Sequence, residues 1–249
     1  MNSLFNNNNN NNNVVVHNFC ESRLNHYNPP EIVNAYTSMF ITIIPIFFGF
    51  PRDHYFFNIA ILFLLNGFAS FYYHYYLNYV GKQLDEICMI LINYYCILGL
   101  MNVYNNKLLI PKYIYYNRFA ALSFMLFNSI QSFDFFFPFL FGAYAVPSLY
   151  FIHQISRKYD YHYYSMLISL GGFGCWVLSE TYCNEYTYLG HTVWHVAFPL
   201  GIYKLILSYD KQHFGLIYWL FYFFLFLFTF HMSSNHLRII CNIHLHNSC

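Results

Sequence analysis

Long apolar runs separated by short polar stretches recur along the chain, at residues 34–51, 55–78, 84–104, 118–133, 134–155, 162–180, 188–208 and 214–232. Most are close to the roughly 20 residues that a helix needs to cross about 30 Å of hydrocarbon. The pattern predicts an all-α fold, a polytopic transmembrane helix bundle of seven spans with an eighth, C-terminal hydrophobic helix. The fourth run is the shortest in its core, because Asn117, Arg118, Asn128, Gln131, Ser132 and Asp134 crowd its ends. It suits a thin or strongly tilted crossing. The eighth, Phe214 to Met232, is the most hydrophobic.

Basic residues in the short connections set an orientation. The first, third, fifth and seventh loops hold Arg52; Lys107, Lys112 and Arg118; Arg157 and Lys158; and Lys211. The other side holds Arg23, Lys82 and, past the eighth run, Arg238. The N-terminus is therefore expected on the non-cytosolic side.

Composition agrees with a membrane chain. Of 249 residues 58% are hydrophobic, 24% aromatic and only 8% charged, with a formal net charge of +1. So few charges cannot solvate a globule of this size, and so small a net charge leaves no electrostatic footprint for nucleic acid. The first residues show no basic region followed by an apolar core, so no cleavable signal peptide is expected. The asparagine tract Asn6 to Asn13 reads as part of a disordered tail, residues 1–16.

Ionisable side chains at the ends of spanning helices are costly unless paired or ligated, so they mark function. The second run ends with Ser70-x-x-x-His74, the third starts with Asp85 and Glu86, and the seventh starts with His191-x-x-x-His195. In the expected topology all of these fall at the same outer face. Residues i and i+4 share a helix face, so Ser70 lies under His74 and His191 under His195. Two helices can thus aim three imidazoles at one point. Three protein ligands with a fourth position open is the pattern of a catalytic zinc rather than a structural one. Zinc lowers the pKa of its bound water from about 16 to about 7, and Asp85, just across the turn from His74, is placed to serve as general base. Asp85 and Glu86 also read as an interfacial helix N-terminus, and Glu180 lies near enough in depth to orient a ligand. Other membrane histidines, His26, His54 and His153, read as hydrogen-bonded packing. The C-terminal His231, His236, Cys241, His244, His246 and Cys249 fit no closed tetrahedral spacing.

The same residues carry a family resemblance. Gly67-Phe-Ala-Ser70-Phe-Tyr-Tyr-His74, then Gln83-Leu84-Asp85-Glu86-x-x-Met89, then His191-x-x-Trp194-His195 resemble the three signature blocks of the alkaline ceramidases. Phe19-Cys20-Glu21-Ser22-Arg23, with Pro30-Glu31-x-x-Asn34-Ala35-x-Thr37-Ser38 leading into the first span, is similar to the family's N-terminal block. The resemblance implies a seven-span domain over residues 17–208, followed at 209–249 by the additional hydrophobic helix and a tail bearing His and Cys. The eighth helix departs from a family pattern that ends after seven.

It further implies zinc on His74, His191 and His195, with Ser70 and Asp85 as catalytic residues, and hydrolysis of the amide bond of ceramide, or a related lipid amide, to a sphingoid base and a fatty acid. Asp85 would move the proton and Ser70 would help hold the oxyanion. An endomembrane location, ER or Golgi, follows from the same resemblance. Animal members bind calcium through positions that match Asn18, Phe19, Glu21, Arg23 and Glu31. Arg23 departs from that pattern, since an arginine has no acceptor to offer a hard cation. Either calcium binds there, or the guanidinium pairs with Glu21 or Glu31 and takes its place. Seven cysteines fit no framework by arithmetic, but Cys20 and Cys183 match cysteines that family members bridge, and both fall on the non-cytosolic side. Two other function classes stand beside the hydrolase: a receptor or scaffold that keeps zinc for structure, and a hydrolase of a different lipid.

Overall fold

The computed structural model of the protein describes residues 19–24, 29–105, 111–127, 136–156 and 161–210. The asparagine tract, the expected eighth span and the His/Cys tail lie outside them. Every described element is a helix: α1 (Cys20–Leu24), α2 (Ile32–Phe48), α3 (His54–Tyr76), α4 (Tyr79–Asn105), α5 (Pro111–Phe127), α6 (Phe136–Ser156), α7 (Tyr161–Thr181) and α8 (Gly190–Tyr209). Residues 50–210 of this set and those up to Ile46 fall in one compact unit. Seven long helices follow the first seven apolar runs. Three stretches, His54–Tyr76, Tyr79–Tyr104 and Phe136–Ser156, are long and apolar enough to cross a membrane by that criterion alone. By contrast α2, with 17 residues, rises only about 25 Å at 1.5 Å per residue.

Two helices begin earlier than the apolar pattern suggests. Helix α4 starts at Tyr79, so Lys82, Asp85 and Glu86 lie inside it, all buried. Polarity marks a loop only where water is reached, and here the polar side chains face other helices. Helix α5 starts at Pro111, the first helical position where a missing N–H costs nothing. Asn117 and Arg118, read as flanking residues, are therefore mid-helix, one buried and the other exposed.

The hairpin of α3 and α4 is closed tightly. Asp53 caps the start of α3 by accepting from the Tyr55 and Phe56 amides at 2.9 and 3.2 Å. At its end Leu77 adopts the left-handed conformation, φ 44°, and its N–H donates to the Tyr73 carbonyl at 2.7 Å. Such a backbone costs a branched-chain residue about 1–2 kcal/mol. It turns the chain at once, and Asn78 Oδ1 accepts from Gly81 N at 2.7 Å to begin α4.

Small residues let α7 and α8 approach. A Cβ at Gly201 would meet the Ser165 carbonyl and Ser169, and one at Gly190 would meet the Cys175 carbonyl and Ser179. Ser169 Oγ uses the closeness to donate to the Phe198 carbonyl at 3.0 Å. Helix α8 also lies along α3, with Tyr203 against Phe63 and Tyr209 against Phe56. At the end distant from the histidines, Asp210 accepts from Arg52 N and Asp53 N at 2.7 and 3.0 Å. Helix α3 thus runs toward the histidine end while α8 runs away from it, and both are fixed at their far ends.

Candidate metal centre

The last turn of α3 and the first turns of α8 bring His74, His191 and His195 together. Their exposures are 1, 4 and 2%. Ring centroids lie 5.0 Å apart for His74 and His191, 5.0 Å for His74 and His195, and 4.7 Å for His191 and His195. One ligating atom from each falls within 4.8 Å of the others, so the group could hold a metal ion.

Each histidine has a different partner on Nδ1. His74 Nδ1 lies 2.6 Å from Glu31 Oε2. His195 Nδ1 lies 3.2 Å from the Thr37 hydroxyl. His191 Nδ1 lies 3.5 Å from Glu180 Oε1, beyond a good hydrogen bond, and is buried without one. Outer partners of this kind, the Glu31 carboxylate and the Thr37 hydroxyl, fix a metal-ligating imidazole and its tautomer. With Nδ1 turned outward in all three, Nε2 is the nitrogen that each ring can turn to a shared ion. The residues present fit zinc: three buried imidazole donors, two of them held from behind by a hydrogen bond, and no fourth His, Cys, Asp or Glu grouped with them among the described residues.

Two further side chains flank the cluster. Ser70, one turn before His74, is 2% exposed, and Asp85, early in α4, is 7% exposed. Ser70 is a hydrogen-bond partner of the Asp85 carboxylate. Asn66 is a second, with Nδ2 2.8 Å from Oδ1. Glu86, the next residue, instead lies 3.8 Å from Lys82 Nζ, one turn back on the same helix.

A lid of N-terminal residues covers the rings. Phe19 sits edge-on to His191 at 4.4 Å and tilted against His74 at 5.3 Å. Cys20 is joined by a disulfide to Cys183, past the end of α7. Glu180 Oε2 accepts from Cys20 N at 3.1 Å and lies 3.0 Å from Arg23 Nη2, which also donates to the Glu180 carbonyl at 3.0 Å. Glu21 accepts from the Val33 and Asn34 amides at 2.7 and 2.9 Å, where a carboxylate meets the exposed N–H groups of the α2 N-terminus. Burial raises the Glu21 carboxyl above its ordinary range, and the two amides pull it partly back.

Asn18, one of the five positions matched to a calcium site, lies outside the described residues. The others are committed elsewhere. The Phe19 carbonyl accepts from Arg23 N and Ser22 Oγ; Glu31 accepts from Phe19 N, accepts from Ser22 Oγ at 2.6 Å and meets His74. Arg23 pairs with Glu180, not with Glu21 or Glu31, because Glu21 is spent on α2 and Glu31 points at His74. Arg23, which has no acceptor and is paired to Glu180, leaves this set one oxygen ligand short of the matched calcium pattern.

Thr37 and Asn66 had no prominence in the sequence. Both are polar residues in apolar runs, and Thr37 stands at an ordinary i→i−4 position, donating also to the Val33 carbonyl at 2.7 Å. The signal that finds Asn66 is its stripe: Asn66, Ser70 and His74 recur every fourth residue on one helix.

A family model described as ceramidase matches residues 14–214. Alkaline ceramidase 1 of Mus musculus is similar at 26% identity, over 76% of this chain and 78% of the relative.

Proposed function

The chain belongs to the ceramidase family, and from that premise we propose that it is a zinc-dependent membrane amidase that hydrolyses the amide bond of ceramide. The observation that carries this reading is the meeting of His74, His191 and His195, buried and oriented, beside a Ser70–Asp85 pair.

His74, His191 and His195 would hold the ion, with Glu31 and Thr37 fixing the rings of His74 and His195 and Glu180 beside that of His191. Zinc bound there supplies a polarised carbonyl and a water acidic enough to lose its proton at neutral pH. Asp85 accepts the proton of the attacking water and afterwards delivers it to the leaving sphingoid amine, so that ceramide and water give a fatty acid and a long-chain base. Ser70, between Asp85 and the cluster, donates its hydroxyl toward the oxygen on which charge develops. Phe19 covers two of the rings and keeps bulk water off them. The acyl chain lies along apolar helix faces while only the amide reaches the polar end. In the orientation set by the basic loops this end is non-cytosolic, in an ER or Golgi membrane where the Cys20–Cys183 bond is stable.

The test is to incubate purified protein in detergent with ceramides of several chain lengths, and to measure zinc by elemental analysis. Stoichiometric zinc and release of a sphingoid base are expected. Wild-type protein without zinc, or an active His195→Ala variant, would sink the metal-hydrolase reading. Zinc-loaded protein inert to every lipid amide would transfer the assignment to a receptor or to a hydrolase of another lipid.

A further inference from the structure

Helix α3 presents Asn66, Ser70 and His74 at i, i+4 and i+8, a single polar stripe in an otherwise apolar segment. Ser70 and His74 have roles in the reaction proposed above. Asn66 does not, although it is 5% exposed. A buried amide left without partners costs about 1–3 kcal/mol, so the groups it bonds decide what it is for. Its Nδ2 donates to Asp85 Oδ1 at 2.8 Å and lies 3.3 Å from the Asp85 carbonyl oxygen. Both acceptors belong to the one residue of α4 that faces the histidines with a carboxylate.

We propose that Asn66 is a positioning residue for Asp85: its amide holds the carboxylate in the rotamer that meets Ser70 at the edge of the histidine cluster. The inference rests on the reading of Asp85 as the proton carrier. The two contacts act on different freedoms. The bond to the main-chain oxygen fixes the depth of α4 against α3, and the bond to Oδ1 fixes rotation of the side chain. An amide N–H donates and cannot take the proton that Asp85 must carry, so it restrains the carboxylate without competing for its proton. A serine or threonine in that place would put donor and acceptor on one atom, and a leucine would leave Asp85 without the amide and held by Ser70.

A helix-packing amide would show the same two distances, so the experiment must separate the roles. Asn66→Leu and Asn66→Gln are made in the wild type and in Asp85→Asn, and kcat, KM, zinc content and the infrared carboxylate band of Asp85 are measured. That band is assigned by its loss in Asp85→Asn. Asn66→Leu is expected to keep zinc and KM, to lower kcat about 10- to 100-fold, as misplacement of a reacting group does, and to shift the Asp85 band. Asn66→Gln, which keeps an N–H donor, recovers part of the loss. In the Asp85→Asn background Asn66→Leu costs nothing further. Equal cost in both backgrounds, loss of zinc, or an unmoved band would overturn the proposal. Should the wild type turn over no ceramide while the band still moves with Asn66→Leu, the contact stands and the ceramide reading falls.

Discussion

Where α4 meets α5 and α6, Ile90, Tyr94, Ile97, Leu98, Met101, Ala121, Phe124, Leu140 and Tyr144 are buried together, and the Tyr144 hydroxyl donates to the Asn117 carbonyl at 3.2 Å. Where α3, α4 and α8 meet, three imidazoles, a serine and an aspartate are just as buried, and all but His191 have a hydrogen-bond partner. The first region is held by shape, in which any apolar side chain of similar volume serves. The second is held by donors and acceptors matched one to one, in which a change of a single atom leaves a neighbour unpaired. Tolerance belongs to the packing, and chemistry belongs to the matched end.

Substitutions test that contrast most severely at the matched end. His195→Ala should abolish zinc binding and with it turnover, to below about one part in a thousand, by elemental analysis and product release. Asp85→Asn should retain zinc while lowering kcat about 10²- to 10⁴-fold; loss of metal here would mean that Asp85 is a ligand. Glu180→Gln and Thr37→Val should each weaken zinc about 10- to 100-fold, read by competition with a chromophoric chelator. Both leave turnover near wild type once zinc is saturating. Cys183→Ser opens a link between residues 163 apart, and removal of a native disulfide costs about 2–5 kcal/mol. A lower Tm with little change in kcat at moderate temperature is the expected result. Ile97→Ala, in the aromatic region, should cost about 2–5 kcal/mol of stability while zinc affinity and kcat stay within about twofold. If it also strips the metal, the two regions are one cooperative structure and the distinction drawn above fails.

Legibility followed the same division. Apolar runs placed seven long helices because a membrane segment must be apolar for most of its length, and α7, expected at 162–180, spans Tyr161–Thr181. Ends were read poorly where polar residues turn inward, as with Lys82, buried inside α4 and ahead of the run expected at 84–104. The short helix α1 has no periodicity to reveal it and exists by grace of long-range partners, Glu180 among them. At the site, His74, His191 and His195 were visible because few other roles bring three imidazoles to one depth. Glu31 was visible as a carboxylate but not as the partner of His74, since a sequence shows which groups are acidic and not which way they point. Thr37 and Asn66 were hidden because serine-like and amide side chains occur in membrane helices for packing alone.

The bond between Cys20 and Cys183 spans 163 residues, and the histidines are divided in the same way, one early and two late. In chain order His74 is made well before its two partners, and a lone imidazole would hold a metal only feebly. The three imidazoles can meet only once α8 has been made and packed beside α3, and the Cys20–Cys183 clasp then adds stability to the closed form. On the zinc reading, a chain stalled or cut before that point would hold no metal at this centre.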